Sequence, residues 1–131
     1  MYNSKTFINM ITEDYVSFVT AKLLMEKGFD GDCGYVREPN NNPYSNSGAL
    51  VYYPNPTLQM ALKWLREVHN IWIEFVFETT GGHVSEYKFK LHFLKTDHSG
   101  FEISNRAYVG YYKTYEEAAD NAISYCLERE I

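Results

Sequence analysis

The chain has 131 residues and a formal net charge of −5, a balance that disfavours a polyanion as main partner, because non-specific nucleic-acid affinity comes largely from Lys and Arg at phosphates. Two cysteines, Cys33 and Cys126, are too few for a disulfide framework or a zinc pattern and fit a reducing compartment. No signal-peptide pattern opens the chain and no run nears the ~20 apolar residues of a membrane span, so a cytoplasmic protein without membrane contact is expected.

In chain order, Thr12 followed by Glu13 and Asp14 predicts a helix start, with a capping hydroxyl and two acids at the positive end of the dipole. Val16, Val19 and Leu23, with Tyr15, Phe18 and Leu24, mark its inward face, and Gly28 after Lys27 is a C-terminal stop. Cys33 to Arg37 reads as a short strand. Glu38 to Gly48, rich in Asn, Pro and Ser, reads as an exposed loop, and Ala49 to Tyr53 as a second short strand.

The next segment is the organising one. Asn55 as N-cap and Pro56 at the first helical position predict a helix whose buried stripe is Leu58, Ala61, Leu62, Leu65 and Val68, with Trp64 at its edge. Asn70 suits the left-handed residue that ends it. From Ile71 the period changes from 3.6 to 2. Ile71, Ile73, Phe75 and Phe77 share one face of a strand, and Trp72, Glu74, Val76 and Glu78 the other.

Thr79 to Gly82 gives a turn, and a strand from Ser85 to Leu94 follows, with Tyr87, Phe89, Leu91 and Phe93 opposed to Lys88, Lys90 and His92. Matching apolar faces across this hairpin put Glu74 near Lys88 or Lys90, and Trp72 near Lys90 or His92. Phe101 to Tyr112 reads as one irregular strand or two short ones, broken near Asn105. In the last helix Thr114 and Glu117 form an S/T-x-x-E capping box. Tyr115, Ala118, Ala119, Ala122, Ile123, Cys126 and Leu127 keep to one face, and Glu116, Glu117, Asp120 and Glu128 stay outside.

The fold class is therefore α+β: an antiparallel sheet of three to four strands with two helices on one face, an α-β-β-β-α core over residues 49–131. The N-terminal helix, short strand and loop of residues 1–48 join it in a single domain.

The element order from Pro56 to Glu130 resembles the topology of double-stranded-RNA-binding domains. That family clamps phosphates with a lysine-rich anchor at the start of its last helix. Here the same place reads Lys113-Thr114-Tyr115-Glu116-Glu117-Ala118-Ala119-Asp120, whose acids would repel them. A second resemblance is carried by AKLLMEKGFD, CGYV, PTLQMALKWLREVHNIWI and TYEEAADNAISYCLE, which occur in the same order in small uncharacterised proteins of gut anaerobic bacteria and their prophages. It implies an origin in phage or mobile DNA and brings no activity with it.

No catalytic, metal, phosphate or cofactor motif stands out. His69, His83, His92 and His98 lack zinc spacing, and protonated His69 suits the negative end of its helix. Cys126 falls on an apolar helix face, as a buried thiol does. Gly81-Gly82 and Gly31-x-x-Gly34 are turn material. What remains is a surface. Trp72, Val76, Lys88, Lys90 and His92 on the polar side of the hairpin, with Tyr108 and Tyr112 from the next strands, form a candidate interaction face for a protein partner or for self-association. The alternative is a nucleic-acid patch of Lys88, Lys90, Lys95 and Arg106 on the same fold.

Overall fold

The computed structural model describes residues 12–38, 51–79, 85–97, 100–105 and 109–131. The fold is α+β, and the described elements run α1 (Phe18–Glu26), β1 (Gly34–Arg37), β2 (Tyr52–Asn55), α2 (Leu58–His69), β3 (Ile71–Thr79), β4 (Ser85–Asp97), β5 (Gly100–Asn105), β6 (Val109–Tyr112) and α3 (Tyr115–Arg129). Strands β1 and β2 form an antiparallel pair. The main sheet is also antiparallel: β4 is central, β3 lies along one side, and β5 and β6 share the other. The third strand expected from the sequence is thus two short ones. The Asn- and Ser-rich loop, the turn glycines Gly81 and Gly82, and Arg106, Tyr108, His83 and His98 lie outside the described residues.

Helices α2 and α3 bury their apolar stripes against one face of the main sheet. Leu58, Ala61, Leu62, Trp64 and Leu65 from α2 form one cluster with Ala119, Ala122, Ile123, Cys126 and Leu127 from α3 and with Ile71, Phe89 and Leu91 from the sheet. The alanines let α3 approach closely, since each has no solvent exposure and no side chain beyond Cβ to hold the backbones apart. Gln59 Nε2 donates to the Tyr115 hydroxyl at 3.1 Å, tying the starts of α2 and α3 together. Helix α1 joins the same core through Ala21 and Leu24 and packs against α3 and β2.

Two helix starts differ from the sequence reading for one reason. Residues 12–16 are extended and pair with the chain entering α2: Val16 N–H donates to the Pro56 carbonyl at 3.1 Å, and Leu58 N–H to the Asp14 carbonyl at 2.8 Å. Leu58 N–H is one of the donors a helix start leaves without an internal partner, so this bridge satisfies it. With Thr12 to Val16 so engaged, Ser17 rather than Thr12 caps α1, accepting from Thr20 N–H at 3.3 Å. Pro56 is buried ahead of the helix, and Thr57 rather than Asn55 caps α2, accepting from Met60 N–H at 3.1 Å. On α1 Thr20, Ala21 and Leu24 are accordingly buried and Leu23 packs against the core, while Val19 and Tyr15 are exposed. Buried Thr20 has a hydroxyl partner, accepting from Ser17 Oγ at 3.2 Å.

The end of α2 and the start of α3 follow expectation. Asn70 takes the left-handed conformation, φ 57°, and its N–H donates to the Leu65 carbonyl. Thr114 Oγ1 accepts from Glu117 N–H at 3.1 Å, the forward half of the capping box. On α2, however, Trp64 is buried and Val68 is 56% exposed. Phe29, from the turn after α1, packs edge-on to Trp64 with ring centroids 5.4 Å apart, drawing the indole inward. On α3, Asp120 is half-buried, and its carboxylate accepts from Ser17 N–H at 2.8 Å and anchors the start of α1.

Candidate interaction surface

Strands β3 and β4 pair without a break from Ile71↔Phe93 to Thr79↔Ser85, so the alternation along each strand is kept across the ladder. On the face turned from the helices, Trp72 lies opposite His92, Glu74 opposite Lys90, and Val76 opposite Lys88. No described helix packs on this face. The expected positions of Trp72, Val76, Lys88, Lys90 and His92 therefore hold, and Glu74 falls opposite one of its two expected neighbours.

The polar residues on this face pair with one another along diagonals. His92 Nε2 and Glu74 Oε1 are 2.8 Å apart, and Lys88 Nζ meets the Glu78 carboxylate in an ion pair. In both cases the carboxylate passes over its direct partner to the residue two further along β4, a reach that diagonal neighbours allow. For Glu78 the direct partner is Glu86, a like charge, which makes the diagonal Lys88 the better choice. Lys88 is nearly covered, its side chain 15% exposed, and its ammonium lies 5.5 Å from the centroid of the Tyr111 ring.

Tyr111 replaces Tyr112 in the expected surface set. Strand β6 meets β4 at Tyr87↔Tyr112 and Phe89↔Val109, with one residue on β4 between these pairs and two on β6. The additional residue makes a bulge, and Gly110 occupies it at φ +70°, a conformation that costs a residue with a Cβ about 1–2 kcal/mol. The bulge shifts the alternation. Tyr112 turns to the helix side, where its ring stacks on buried Phe89 at 6.2 Å and 20°. Burial, with the nearby Glu117 charge adding to it, raises its phenol pKa. Tyr111 turns out and is 65% exposed. A glycine inside a strand pattern is the signal that marks such a shift.

A second residue that the sequence reading missed is Arg66. It belongs to the last turn of α2, yet its guanidinium lies 5.5 Å from the centroid of the Trp72 ring, so the side chain reaches round the start of β3 to the other face. Trp72 remains 47% exposed.

Elsewhere, a groove of about 380 Å³ is lined by Phe29, Gly31, Met60, Lys63, Trp64, Glu67 and Val68. Trp64 Nε1 and His69 Nε2 are buried without hydrogen-bond partners, and the two rings meet edge to face at 4.6 Å. Burial lowers the His69 pKa below 6.5, so this ring is neutral near pH 7 and is not the protonated cap that the sequence suggested. Cys126 has no exposure, and burial, with Glu130 adding to it, pushes its thiol up to about 12. Such a thiol is no nucleophile. Both cysteines are free. Among the described residues no three His, Cys, Asp or Glu side chains are grouped to hold a metal ion, and no helix is long and apolar enough to cross a membrane. In comparisons with known proteins, no family model, no curated protein and no solved structure matches the chain.

Proposed function

We propose that this chain is a small, non-enzymatic protein-interaction module of phage or mobile-element origin, which acts in the cytoplasm and binds a protein partner through the outer face of its main sheet. The observation that carries this reading is the pairing of Trp72 and Tyr111 on that face, 47% and 65% exposed, with Arg66 lying over Trp72. Trp, Tyr and Arg are the side chains that most often dominate binding energy at protein interfaces, because they bring large, stiff contact area together with a polar handle. Between them the Glu78 carboxylate is paired with Lys88, and the Glu74 carboxylate is in contact with His92 Nε2. Such a surface can be desolvated by a protein at less cost than one bearing unpaired ions.

The same pairs weigh against a phosphate backbone as ligand, since Lys88 and His92 already face carboxylates. The groups with shifted pKa values also fail to form a reactive set. Tyr112 and Cys126 lie within or against the packed core, and His69 at the end of α2. The suggested origin rests on the sequence resemblance alone.

The test compares affinity capture by the wild-type chain and by the Trp72→Ala/Tyr111→Ala variant, with circular dichroism to verify folding. The wild type is expected to retain a defined protein that the folded variant loses. Full retention by the variant would sink the sheet-face reading. Loss on Glu116→Lys/Glu128→Lys instead would move the surface to the acidic side of α3.

A further inference from the structure

The two long sides of the main sheet are protected unequally. On the β5/β6 side the edge is divided into two short strands and bulged at Gly110, devices that discourage a further strand from pairing. On the other side β3 runs nine residues, IWIEFVFET, in unbroken register with β4, with no proline, no lysine and no bulge. Among the described residues no strand pairs with its outer edge. Phe77, near its far end, is 58% exposed although it belongs to the apolar face.

We infer that β3 is a self-pairing edge, which joins a second copy of this chain antiparallel about a two-fold axis at Phe75 and makes the two main sheets continuous. The inference goes beyond the interaction reading above, which concerns the face of the sheet and not its edge.

The register follows from the charges together with the length of the strand. An antiparallel pair keeps each side chain on its own face only when the facing residue numbers sum to an even value. A centre at Glu74 would set that carboxylate against its own copy, and a centre at Val76 would set Glu74 against Glu78. Centred on Phe75, the pairing uses all nine residues and sets no two carboxylates directly opposite each other; Glu74 lies diagonal to its own copy, with each carboxylate turned to His92. Phe75 meets Phe75 and Ile73 meets Phe77 on the apolar face, so the exposed Phe77 ring gains a cover. On the outer face Glu74 meets Val76, and Trp72 meets Glu78 of the second copy. Arg66, lying over Trp72, then supplies positive charge beside that carboxylate. The contact is isologous: each favourable pair occurs twice, once on either side of the axis.

Sedimentation velocity of the purified full chain over a concentration series tests this. The wild type is expected to be a dimer that dissociates on dilution. Val76→Glu sets a carboxylate against Glu74 at two symmetric places and is expected to raise the dimer dissociation constant about tenfold or more. Glu74→Lys combined with Val76→Glu restores opposite charges in this register and is expected to recover the dimer. Phe77→Glu changes an exposed position, though one in ring contact with Tyr87, and with folding verified by circular dichroism should give monomer by a second route. A wild type monomeric throughout, or a Val76→Glu dimer as tight as wild type, overturns the inference. So does a double variant that stays monomeric while folded. Tyr111→Ala, on a strand that does not touch β3, separates the two readings: it is expected to lose the captured protein and keep the dimer.

Discussion

The two faces of the β3–β4 ladder share a backbone and a register, yet they are held by different physics. On the helix side Ile71, Phe89 and Leu91 are 0–2% exposed and take part in one cluster with α2 and α3. On the outer side Trp72, Glu74 and Glu78 retain 40–50% of their exposure, and ion pairs and ring contacts stand in for packing. Burial concentrates stability on the first face, because every methylene removed there leaves a cavity, whereas a partly exposed ion pair contributes about 1 kcal/mol or less. The sharpest way to break the comparison is to truncate one residue on the helix side. Phe89→Ala is expected to cost about 3–5 kcal/mol, read as a fall in the denaturant midpoint. A loss no larger than that of Trp72→Ala would show that the two faces are not distinct.

A smaller effect is expected where the faces exchange residues. Gly110→Ala asks a Cβ to occupy φ +70° and to sit 2.5 Å from the Tyr112 ring. The backbone conformation alone costs about 1–2 kcal/mol, and the ring must move as well. The change is therefore expected to lower stability and to alter Tyr112 together, visible as a loss of its aromatic ring-current shifts against Phe89. A variant as stable as wild type with those shifts unchanged would show that the bulge does not hold Tyr112 on the helix side.

What the sequence made legible was whatever depends on short-range pattern. Asn70 as a left-handed stop, Thr114 with Glu117, the period change at Ile71 and the placing of Trp72 near Lys90 or His92, of which His92 is the partner, all follow from residues near one another in the chain or from one alternation matched to another. The misses, Tyr111 apart, share a cause in distant contacts. Thr12 and Ser17 have equal capping chemistry, and the choice falls to Ser17 because Asp14 and Val16 are engaged by residues 56 and 58. Trp64 and Val68 exchange places as Phe29 packs edge-on against the indole. Within the site, Arg66 was invisible because its helix and Trp72 occupy opposite sides of the sheet. Tyr111 was in reach of the sequence, had Gly110 been read as a bulge.

The smallest effect contrasts two histidines on the two sides. His92 lies on the outer face against Glu74, whereas His69 ends α2 with Nε2 buried and unpartnered beside Trp64. Two influences compete at His69. The negative end of the helix favours the imidazolium by about 0.3–1 kcal/mol, and desolvation opposes it. At this helix end the Asn70 N–H already satisfies the Leu65 carbonyl, which weakens the first. Burial prevails, and the His69 pKa lies below its ordinary 6.5. The unfolded chain, whose imidazole titrates near 6.5, therefore binds more protons than the native state as the pH drops. The contribution is fully present above pH 6.5 and is lost as pH falls through the lower native value. Denaturant midpoints across this range should decline for the wild type and decline less for His69→Phe, which keeps a ring against Trp64 but takes up no proton. A native His69 resonance that titrates at or above 6.5 would mean that the helix end prevails over burial.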